Sequence, residues 1–265
     1  MGIGLSACHR NENFIKIKGS DSVLPISQKE AEIYMQTSPK AAITVTGGGS
    51  GVGIASLIDG TTHIAMSSRE IKVAEKLRLK DLNKTLRERI VAYDALAIVV
   101  HPGNPVSKIT REQIEKIYTG KVKNWKELGG ADQEIVAYAR ETSSGTYEYF
   151  KEALLGNREY DASVLSMTSN GAIIQSARQT PGAIGYIGLA YINNTVKSLE
   201  VSFDQGKNYI APTFENAKKK IYPVSRPLYY YYTDIYEGRA APFLNFVFSE
   251  KGQNIIKEIG YVPVK

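Results

Sequence analysis

The sequence predicts an α/β fold, and three observations support this prediction. Segments with the composition of strands alternate with segments of helical periodicity along the chain. No internal repeat or low-complexity tract interrupts this order. Two long extended segments, residues 90–101 and 227–233, lie far apart in the chain. A chain that leaves one lobe and later returns needs two such crossings, which is consistent with two lobes. The alternative is a single open sheet with both segments as buried strands, and the residues alone slightly favour it.

The first part of the chain is predicted to alternate strands with helices. Residues 13–19 are predicted to form a strand. Residues 25–38 are predicted to form a helix, because Pro25 suits a first turn and apolar residues recur between 31 and 35. The further predictions are a strand at 41–47, a short helix at 50–60 that ends at Gly60, a strand at 63–68 and a long extended segment at 87–102 that ends at Pro102.

The second part of the chain continues the alternation. Thr110 is a suitable N-cap for a helix over residues 110–120. The closing helix, predicted over 241–260, contains Gly252, so its length is left open. The other predicted elements are strands at 133–141, 182–188 and 226–233, the last rich in tyrosine, and a helix at 146–156.

Composition limits the classes of function. The 265 residues are 43% hydrophobic and 23% charged, which is typical of a folded chain with a substantial core. The net charge of +6 could attract nucleic acid, an acidic membrane or a small anion, or could be only a solvated basic surface. The lysine cluster at 218–220 has no interleaved aromatic residues, which argues against nucleic-acid binding. No segment approaches the roughly 18 apolar residues of a membrane span.

The single cysteine, Cys8, rules out an internal disulfide. Residues 5–8, "LSAC", resemble the lipobox of bacterial lipoproteins, in which the cysteine becomes the lipidated first residue. Only seven residues precede Cys8, too few for a whole signal peptide, so residues 1–13 are predicted to be a signal remnant and tether. This interpretation predicts lipidation at Cys8 and anchorage on the periplasmic or cell-surface side of the cytoplasmic or outer membrane. An inert thiol near the terminus is the alternative.

Three predicted strand-to-helix junctions share one kind of chemistry. Residues 19–22 read "GSDS", residues 46–51 read "TGGGSG" and residues 140–146 read "RETSSGT". The first turn of a helix carries unpaired amides and a partial positive charge, which favour a bound oxyanion. Glycine permits close approach, hydroxyls add donors, and Arg140 supplies a planar fork for two oxygens. Each feature also has an ordinary explanation: the serines could be N-caps, and Arg140 could pair with Glu141. Their threefold recurrence favours an anion site.

Competing motifs are incomplete. The glycine run lacks the Gly-Lys-Ser/Thr ending of a P-loop, and Val52 replaces the second glycine of a nucleophile elbow. The three histidines, His9, His63 and His101, show no close metal-ligand spacing and provide no obvious base for a serine nucleophile. These residues therefore give poor support to nucleotide hydrolysis and to a metal or cofactor site, and they leave a serine nucleophile without an obvious base.

At these junctions the chain resembles the PstS-like phosphate-binding receptors of bacterial ABC uptake systems, which are periplasmic binding proteins. The resemblance runs from about residue 14 to the end, in family order. It rests on the blocks "GSDSVLP", "TGGGSGVGI", "IAMSSRE", "NPVSKITREQIEKIYTGKVKNWKELGG", "RETSSGTYEYF" and "GAIGYIGLAY". It implies a two-lobed periplasmic-binding-protein fold of type II-like form with two hinge crossings, and it also implies no catalysis and no cofactor. Residues 14–96 and 220–265 would form lobe I, and residues 97–219 would form lobe II.

The resemblance also implies a ligand site between the lobes. Ser22 and the Val23 amide would come from the first junction, and Ser50 and Gly51 from the second. Arg140 would come from lobe II. The full predicted set is Ser22, Val23, Ser50, Gly51, Ser68, Asp94, Arg140, Ser144, Gly145 and Thr146.

The chain departs from the family pattern at one place. Family members carry an aspartate after the third strand that accepts a hydrogen bond from protonated phosphate, whereas here Arg69 follows Ser67 and Ser68. Asp94, at the first crossing, is the candidate replacement, although it could instead be a structural residue of the hinge. Asp21 is a weaker candidate, and Glu141 is expected to orient Arg140.

The predicted function is that of a monomeric extracytoplasmic receptor that captures inorganic phosphate and delivers it to an ABC permease. Three alternatives stay open. One is a receptor for sulfate, molybdate or tungstate, another is a phosphoester hydrolase that uses Ser50 or Ser144, and the third is a surface adhesin.

Overall fold

The computed structural model describes residues 14–265. Cys8 and the predicted tether lie outside the described residues. The strands are β1 Phe14–Gly19, β2 Ala42–Thr46, β3 Ile64–Ser67, β4 Leu86–Val100, β5 Lys108–Thr110, β6 Val136–Arg140, β7 Leu165–Met167, β8 Ala183–Gly188, β9 Lys197–Ser198, β10 Glu200–Ser202, β11 Ser225–Thr233 and β12 Val262–Pro263. The α-helices are α1 Leu24–Thr37, α2 Ser50–Ile58, α3 Val73–Asp81, α4 Arg111–Tyr118, α5 Gly145–Leu155, α6 Asn170–Gln179, α7 Phe214–Lys218, α8 Asp234–Val247 and α9 Glu250–Glu258.

Eight strands form one hydrogen-bonded path that passes through β4; β9 and β12 also pair with β4, and β5 and β10 form a separate two-stranded sheet. On one side the order is β2-β1-β3-β11-β4, and on the other it continues β4-β8-β6-β7. The first three strands of the chain pair in parallel, and β6 is parallel to both β7 and β8. Strand β11 is antiparallel to both β3 and β4. The carboxyl ends of β1, β2 and β3 therefore lie at the same edge of the sheet.

The hydrophobic core divides the molecule into two lobes. Two clusters draw their buried members from residues 15–92 and 228–261, which we call lobe I. Two further clusters draw theirs from residues 95–224, which we call lobe II. The predicted α/β fold with two lobes is confirmed. The alternative prediction of a single open sheet is correct in one respect only: hydrogen-bonded strands run continuously from lobe I to lobe II through β4.

The chain crosses between the lobes twice, at positions that face each other. Strand β4 pairs with β11 in its first part and with β8 over residues 96–100. Within the first part, Asp94 lies directly opposite Arg226 in the antiparallel register. Directly opposed side chains on one face of such a ladder are in contact range. The ladder thus brings an acid and a base together at the junction of the two lobes.

Most predicted elements are present, but two predictions need correction. The closing helix is two helices, because α8 ends at Val247 and Ser249 caps α9 by accepting a hydrogen bond from the Gly252 amide at 3.2 Å. Gly252 allows this break, since a Cβ there would overlap the Phe246 and Val247 carbonyls. The second correction concerns three helices that were not predicted, α3, α6 and α7. In α3, Val73 and Leu77 are exposed and only Leu79 is buried, so its apolar pattern is weak.

Within residues 14–265, no helix combines the length and the apolar composition that a membrane crossing requires.

Replacement of Glu30 by glutamine is expected to stabilise the protein at alkaline pH. Glu30 is fully buried in lobe I beside Tyr230, and burial raises its pKa well above the ordinary value. A raised folded-state pKa means that wild-type stability is lost as the pH rises through that pKa, since the folded state must release a proton it holds more tightly. The gain in melting temperature from Glu30→Gln should therefore grow between about pH 5 and about pH 8.

The exposed Glu32, on the same helix, provides the control. Glu32→Gln should shift the melting curve equally at both pH values. A Glu30→Gln effect that does not change with pH would contradict the prediction.

Candidate anion-binding site

The three predicted junctions lie together between the lobes. Ser22, after β1, and Thr146, in the first turn of α5, place their hydroxyl oxygens 3.0 Å apart. The Gly51 amide, in the first turn of α2, donates to the Ser143 carbonyl at 2.9 Å. Contacts from lobe I thus reach the lobe II junction from two separate bends of the chain.

Buried hydroxyls form the centre of this region. Ser50 accepts a hydrogen bond from the Ser68 amide at 3.0 Å, and its oxygen lies 3.3 Å from the Ser68 hydroxyl. The Ser20 hydroxyl donates to Ser68 at 2.9 Å. All three serines are buried. Hydroxyls can both donate and accept, so this group can reorient toward an anion.

Gly145 is a point of close approach between the lobes. It is the first residue of α5, and a Cβ there would overlap the Ser50 and Ser68 hydroxyls. Neither the Gly145 amide nor the Ser50 amide donates to an acceptor within residues 14–265. Amides at the first turn of a helix are suited to bind anions. Two helix starts therefore present amides at one place.

We expect Gly145→Ala to weaken anion binding without unfolding the protein. Alanine suits the helical backbone of α5, but its methyl group would occupy the space between the lobes. Affinity for phosphate should fall about 10-fold or more, since a small displacement of site groups carries a large cost. Isothermal titration calorimetry together with thermal denaturation would measure both properties.

Gly238 supplies a matched control. It also lies in a helix, α8, and a Cβ there would meet no atom within 4 Å. Gly238→Ala should leave the affinity unchanged. Equal affinities for both alanine variants would contradict this placement of Gly145.

Arg140 is buried at the end of β6, and three acceptors hold it. Its Nη2 donates to Asp21 Oδ2 at 2.6 Å and to the Thr168 carbonyl at 2.8 Å. Its Nε donates to the Met167 carbonyl at 3.3 Å. Its Nη1 is buried without a hydrogen-bond partner among residues 14–265. A buried donor without a partner is costly, so Nη1 is a candidate donor to a ligand.

A second arginine, Arg226, was missed by the sequence analysis. It lies on β11 and its side chain is 1% exposed. Its Nη2 is within 3.2 Å of the Ser22 hydroxyl and within 3.0 Å of the Thr146 hydroxyl, and its Nη1 donates to the Ser68 carbonyl at 3.2 Å. Arg140 is therefore not the only cation at the junction, contrary to the expectation from sequence. The available signal was an arginine at the first position of the tyrosine-rich strand predicted over 226–233.

Asp94 is the partner of Arg226. Its Oδ2 accepts from Arg226 Nη2 at 3.1 Å, and its Oδ1 is buried without a hydrogen-bond partner in the described part of the chain. Burial raises the pKa of Asp94, and the positive charge of Arg226 opposes that shift. The free acceptor Oδ1 suits a protonated oxygen of a ligand.

Several predicted residues have other partners than expected. The Val23 amide donates to the Ser20 carbonyl and the Gly51 amide to Ser143, so neither amide is available to an anion here. Ser144 is an N-cap whose hydroxyl accepts from the Thr146 amide at 3.2 Å, which was the ordinary alternative. Local backbone hydrogen bonds, helix capping and the contact between the lobes therefore already provide partners for these two amides and for the Ser144 hydroxyl.

Two charged residues also differ from expectation. Arg69 makes two hydrogen bonds to the Glu75 carboxylate, at 2.7 and 2.8 Å, so it is already neutralised. Glu141 was expected to orient Arg140, but it is exposed and Asp21 is the carboxylate that contacts Arg140. The site therefore draws this acid from the opposite lobe.

The two histidines within the described residues are engaged away from the serines. His63 Nδ1 accepts from the Lys16 amide at 2.9 Å, and His101 Nδ1 accepts from the Gly103 amide at 3.0 Å. A serine nucleophile needs a base within hydrogen-bond reach. Neither ring contacts Ser50 or Ser144, so the geometry gives no support to a serine–histidine hydrolase.

A cavity of about 430 Å³ lies beside the hydroxyl cluster. Ser68, Arg226 and Pro227 line it from lobe I, and Tyr149 and Glu152 line it from lobe II. The Tyr149 ring lies over the Arg226 guanidinium, 5.3 Å from centroid to carbon. The cluster is thus bordered by a cleft between the lobes, as small-ligand sites commonly are.

Comparison with known proteins identifies relatives of the whole chain. A model of the PBP superfamily domain matches residues 6–251. The Phosphate-binding protein PstS of Borreliella burgdorferi is 32% identical over 264 residues, covering 96% of this chain and 91% of the relative. The protein of the same name from Bacillus subtilis is 34% identical over 251 residues, covering 94% and 80%.

Solved structures agree with these relatives. A putative phosphate ABC transporter substrate-binding protein from Clostridium perfringens, solved with bound phosphate, is 36% identical, with a TM-score of 0.87 and coverage of 96% of this chain and 100% of the other. An ABC-type phosphate transport receptor from Vibrio cholerae is 34% identical, with a TM-score of 0.76 and coverage of 94% and 99%. The chain belongs to the PstS-like family of phosphate-binding proteins within the PBP superfamily.

Proposed function

We propose that this protein is an extracytoplasmic receptor that binds inorganic phosphate between its two lobes. The observation that carries the proposal is the convergence of three helix-start junctions on one buried group of hydroxyls, with Arg226 in contact with that group and Arg140 held at the first junction by Asp21. The family members named above support phosphate as the ligand. No group in this arrangement is positioned as a nucleophile with its base, so the proposed role is binding without catalysis.

The chemistry of the site suits a tetrahedral oxyanion. Hydroxyls and helix-start amides supply neutral donors, and the arginines supply charge-assisted donors. Each arginine is paired with an aspartate, Arg140 with Asp21 and Arg226 with Asp94. Hydrogen-bond geometry, more than surplus charge, would therefore select the ligand. The proposed direct ligands are Ser22, Ser50, Ser68, Asp94, Arg140, Gly145, Thr146 and Arg226.

Ligand binding would be coupled to closure of the lobes. We propose the division given by the sequence, with residues 14–96 and 220–265 in lobe I and 97–219 in lobe II. The buried clusters support two lobes, but they change membership between residues 92 and 95 and between 224 and 228, so Ala95, Leu96, Tyr222 and Val224 pack with lobe II. A ligand that contacts both lobes stabilises the closed form by its differential affinity for that form.

Transport is the proposed context. The receptor would act as a monomer and deliver phosphate to an ABC permease, and lipidation of Cys8 would hold it at the outer face of a membrane. The names of the relatives support the transport role, and the "LSAC" sequence supports the anchor. Mass spectrometry of protein purified from membranes would test the anchor: an unmodified Cys8 in the mature chain would contradict it.

A thermal-shift screen tests the proposed function. Protein unfolded and refolded to remove bound ligand would be melted with phosphate, arsenate, sulfate and molybdate. Phosphate should raise the melting temperature, because a ligand that binds only the folded state stabilises it by mass action. A larger shift with sulfate or molybdate would favour the alternative receptor, and no shift with any anion would contradict the proposal.

Asp94→Asn is expected to reduce the preference for phosphate over sulfate. The carboxylate can accept a hydrogen bond from protonated phosphate and repels fully ionised sulfate, whereas an amide can donate to either ion. The ratio of the two affinities should fall about 10-fold or more, equivalent to about 1.4 kcal/mol or more. Competitive titration calorimetry with both anions would measure it. An unchanged ratio would limit Asp94 to a structural role beside Arg226.

A further inference from the structure

We propose that Asp21 is a positioning residue that orients the Arg140 guanidinium toward the bound anion and makes that orientation depend on lobe closure. The inference rests on the proposed function. It assigns a role to a carboxylate that, from sequence, was only a weaker candidate acceptor for the ligand. Asp21 does not act as a ligand in this account; it acts through Arg140.

Asp21 joins both lobes through three contacts. Its Oδ2 accepts from Arg140 Nη2, of lobe II, at 2.6 Å. Its Oδ1 accepts from the Gly48 amide, of lobe I, at 3.2 Å. Its backbone carbonyl accepts from the Tyr191 hydroxyl, of lobe II, at 2.8 Å. One residue therefore links two of the lobe I junctions to two separate places in lobe II.

These contacts determine the direction of the free donor of Arg140. The guanidinium is a rigid planar fork, so fixing two nitrogens fixes the third. Asp21 and the Thr168 carbonyl hold Nη2, and the Met167 carbonyl holds Nε. Nη1 remains, buried and without a partner among residues 14–265. Of the three groups that hold the fork, only Asp21 is on lobe I, so the full set forms only when the lobes are together.

The glycine run at 47–49 is shaped around the same contacts. A Cβ at Gly47 would lie 2.5 Å from Asp21 Oδ1. A Cβ at Gly49 would lie 2.6 Å from the Ser143 carbonyl, and Gly49 has φ +95°, which side chains rarely adopt. The second junction thus receives the Asp21 carboxylate on one side and the lobe II junction on the other. From sequence, these glycines had been interpreted as permitting close approach of an anion or as serving a turn.

A second ion pair between the lobes offers a matched comparison. Lys72 of lobe I and Glu148 of lobe II are 2.8 Å apart, but their side chains are 50% and 25% exposed. Exposed pairs are screened by water and salt and contribute little. If Asp21 only held the lobes together, loss of the Glu148 charge would act in the same way. If Asp21 positions Arg140, loss of the Asp21 charge should weaken phosphate binding, whereas loss of the Glu148 charge should not.

A double-mutant cycle tests the inference on the full chain. Phosphate affinity is measured by calorimetry, and dissociation by stopped flow, for wild type, Asp21→Asn, Arg140→Ala, the double variant and Glu148→Gln. Asp21→Asn should weaken binding about 10-fold or more, mainly through faster dissociation. In the Arg140→Ala background the same change should have no further effect, because the residue through which it acts is gone. Glu148→Gln should stay within about 2-fold of wild type.

Three results would overturn the inference: wild-type affinity in Asp21→Asn, multiplicative losses in the double variant, or an equal loss in Glu148→Gln. Asp21→Glu covers the possibility that Asp21→Asn folds poorly, since it keeps the charge; it should recover part of the affinity, and no recovery beyond Asp21→Asn would count against positioning by charge. Failure of wild type to bind phosphate would overturn the proposed function and the inference together. Normal wild-type binding with insensitive Asp21 variants would overturn the inference alone.

Discussion

Arg140→Ala should lower the affinity for phosphate by about 100-fold or more, equivalent to about 3 kcal/mol or more. Arg140 is buried, and its Nη1 is one of two buried arginine donors without a hydrogen-bond partner within the described chain, the other being Arg226 Nε. Removing it takes away a charge-assisted hydrogen bond and leaves the Asp21 carboxylate, 18% exposed, without its cation. Both effects oppose binding of an anion. Titration calorimetry on ligand-stripped protein would measure the change.

Arg87 provides a control of the same residue type. It lies near the start of β4, far along the strand from residues 96–100 that pair with β8, and forms an ion pair with Glu237 in which its side chain is 44% exposed. Arg87→Ala removes the same unit of charge but should change the affinity by less than about 2-fold, since exposed charges are screened. Near-native phosphate affinity in Arg140→Ala would contradict the proposed site.

Arg226→Met is expected to have the largest effect on stability, lowering the free energy of unfolding by about 3–5 kcal/mol. Arg226 and Asp94 are both 1% exposed in their side chains and face each other at the lobe junction. Without the arginine, the Asp94 carboxylate is buried with no partner, and it must either stay charged at high cost or take up a proton. Urea denaturation without ligand would give the change.

A second substitution separates stability from binding. Adding Asp94→Asn to Arg226→Met removes the isolated charge, so a large part of the lost stability should return. Phosphate affinity should stay low in the double variant, because the donor to the Ser22 and Thr146 region is still missing. Equal destabilisation by Arg226→Met with and without Asp94 would show that the ion pair does not account for the effect.

The local parts of the structure could be predicted from sequence because local patterns specify them. Strand β1, helices α1 and α4 and the Thr110 cap follow from alternation, periodicity and capping chemistry. The three junctions were found because helix starts rich in glycine and serine have a recognisable composition. The first two junctions lie at one sheet edge because β1 and β2 pair in parallel, whereas the third follows β6 in lobe II.

The remaining features of the site could not be predicted from sequence. They depend on strand register and on which of several possible hydrogen-bond partners a polar group contacts. Arg226 is at the site because β11 pairs with β4 so that Arg226 lies opposite Asp94, and no local pattern encodes that register. Arg140 had Glu141 beside it in the chain, yet its partner is Asp21 of the other lobe. The amides of Val23 and Gly51 looked available, but backbone carbonyls nearby accept their hydrogen bonds.

A crystal structure grown with phosphate would test the central claim most directly. The account predicts one tetrahedral ion between the lobes, within hydrogen-bond distance of the Arg140 Nη1, of the Gly145 amide and of hydroxyls from both lobes, Ser50 and Thr146 among them. A phosphate ion bound elsewhere would contradict the account. So would a phosphate ion that contacts residues of one lobe alone.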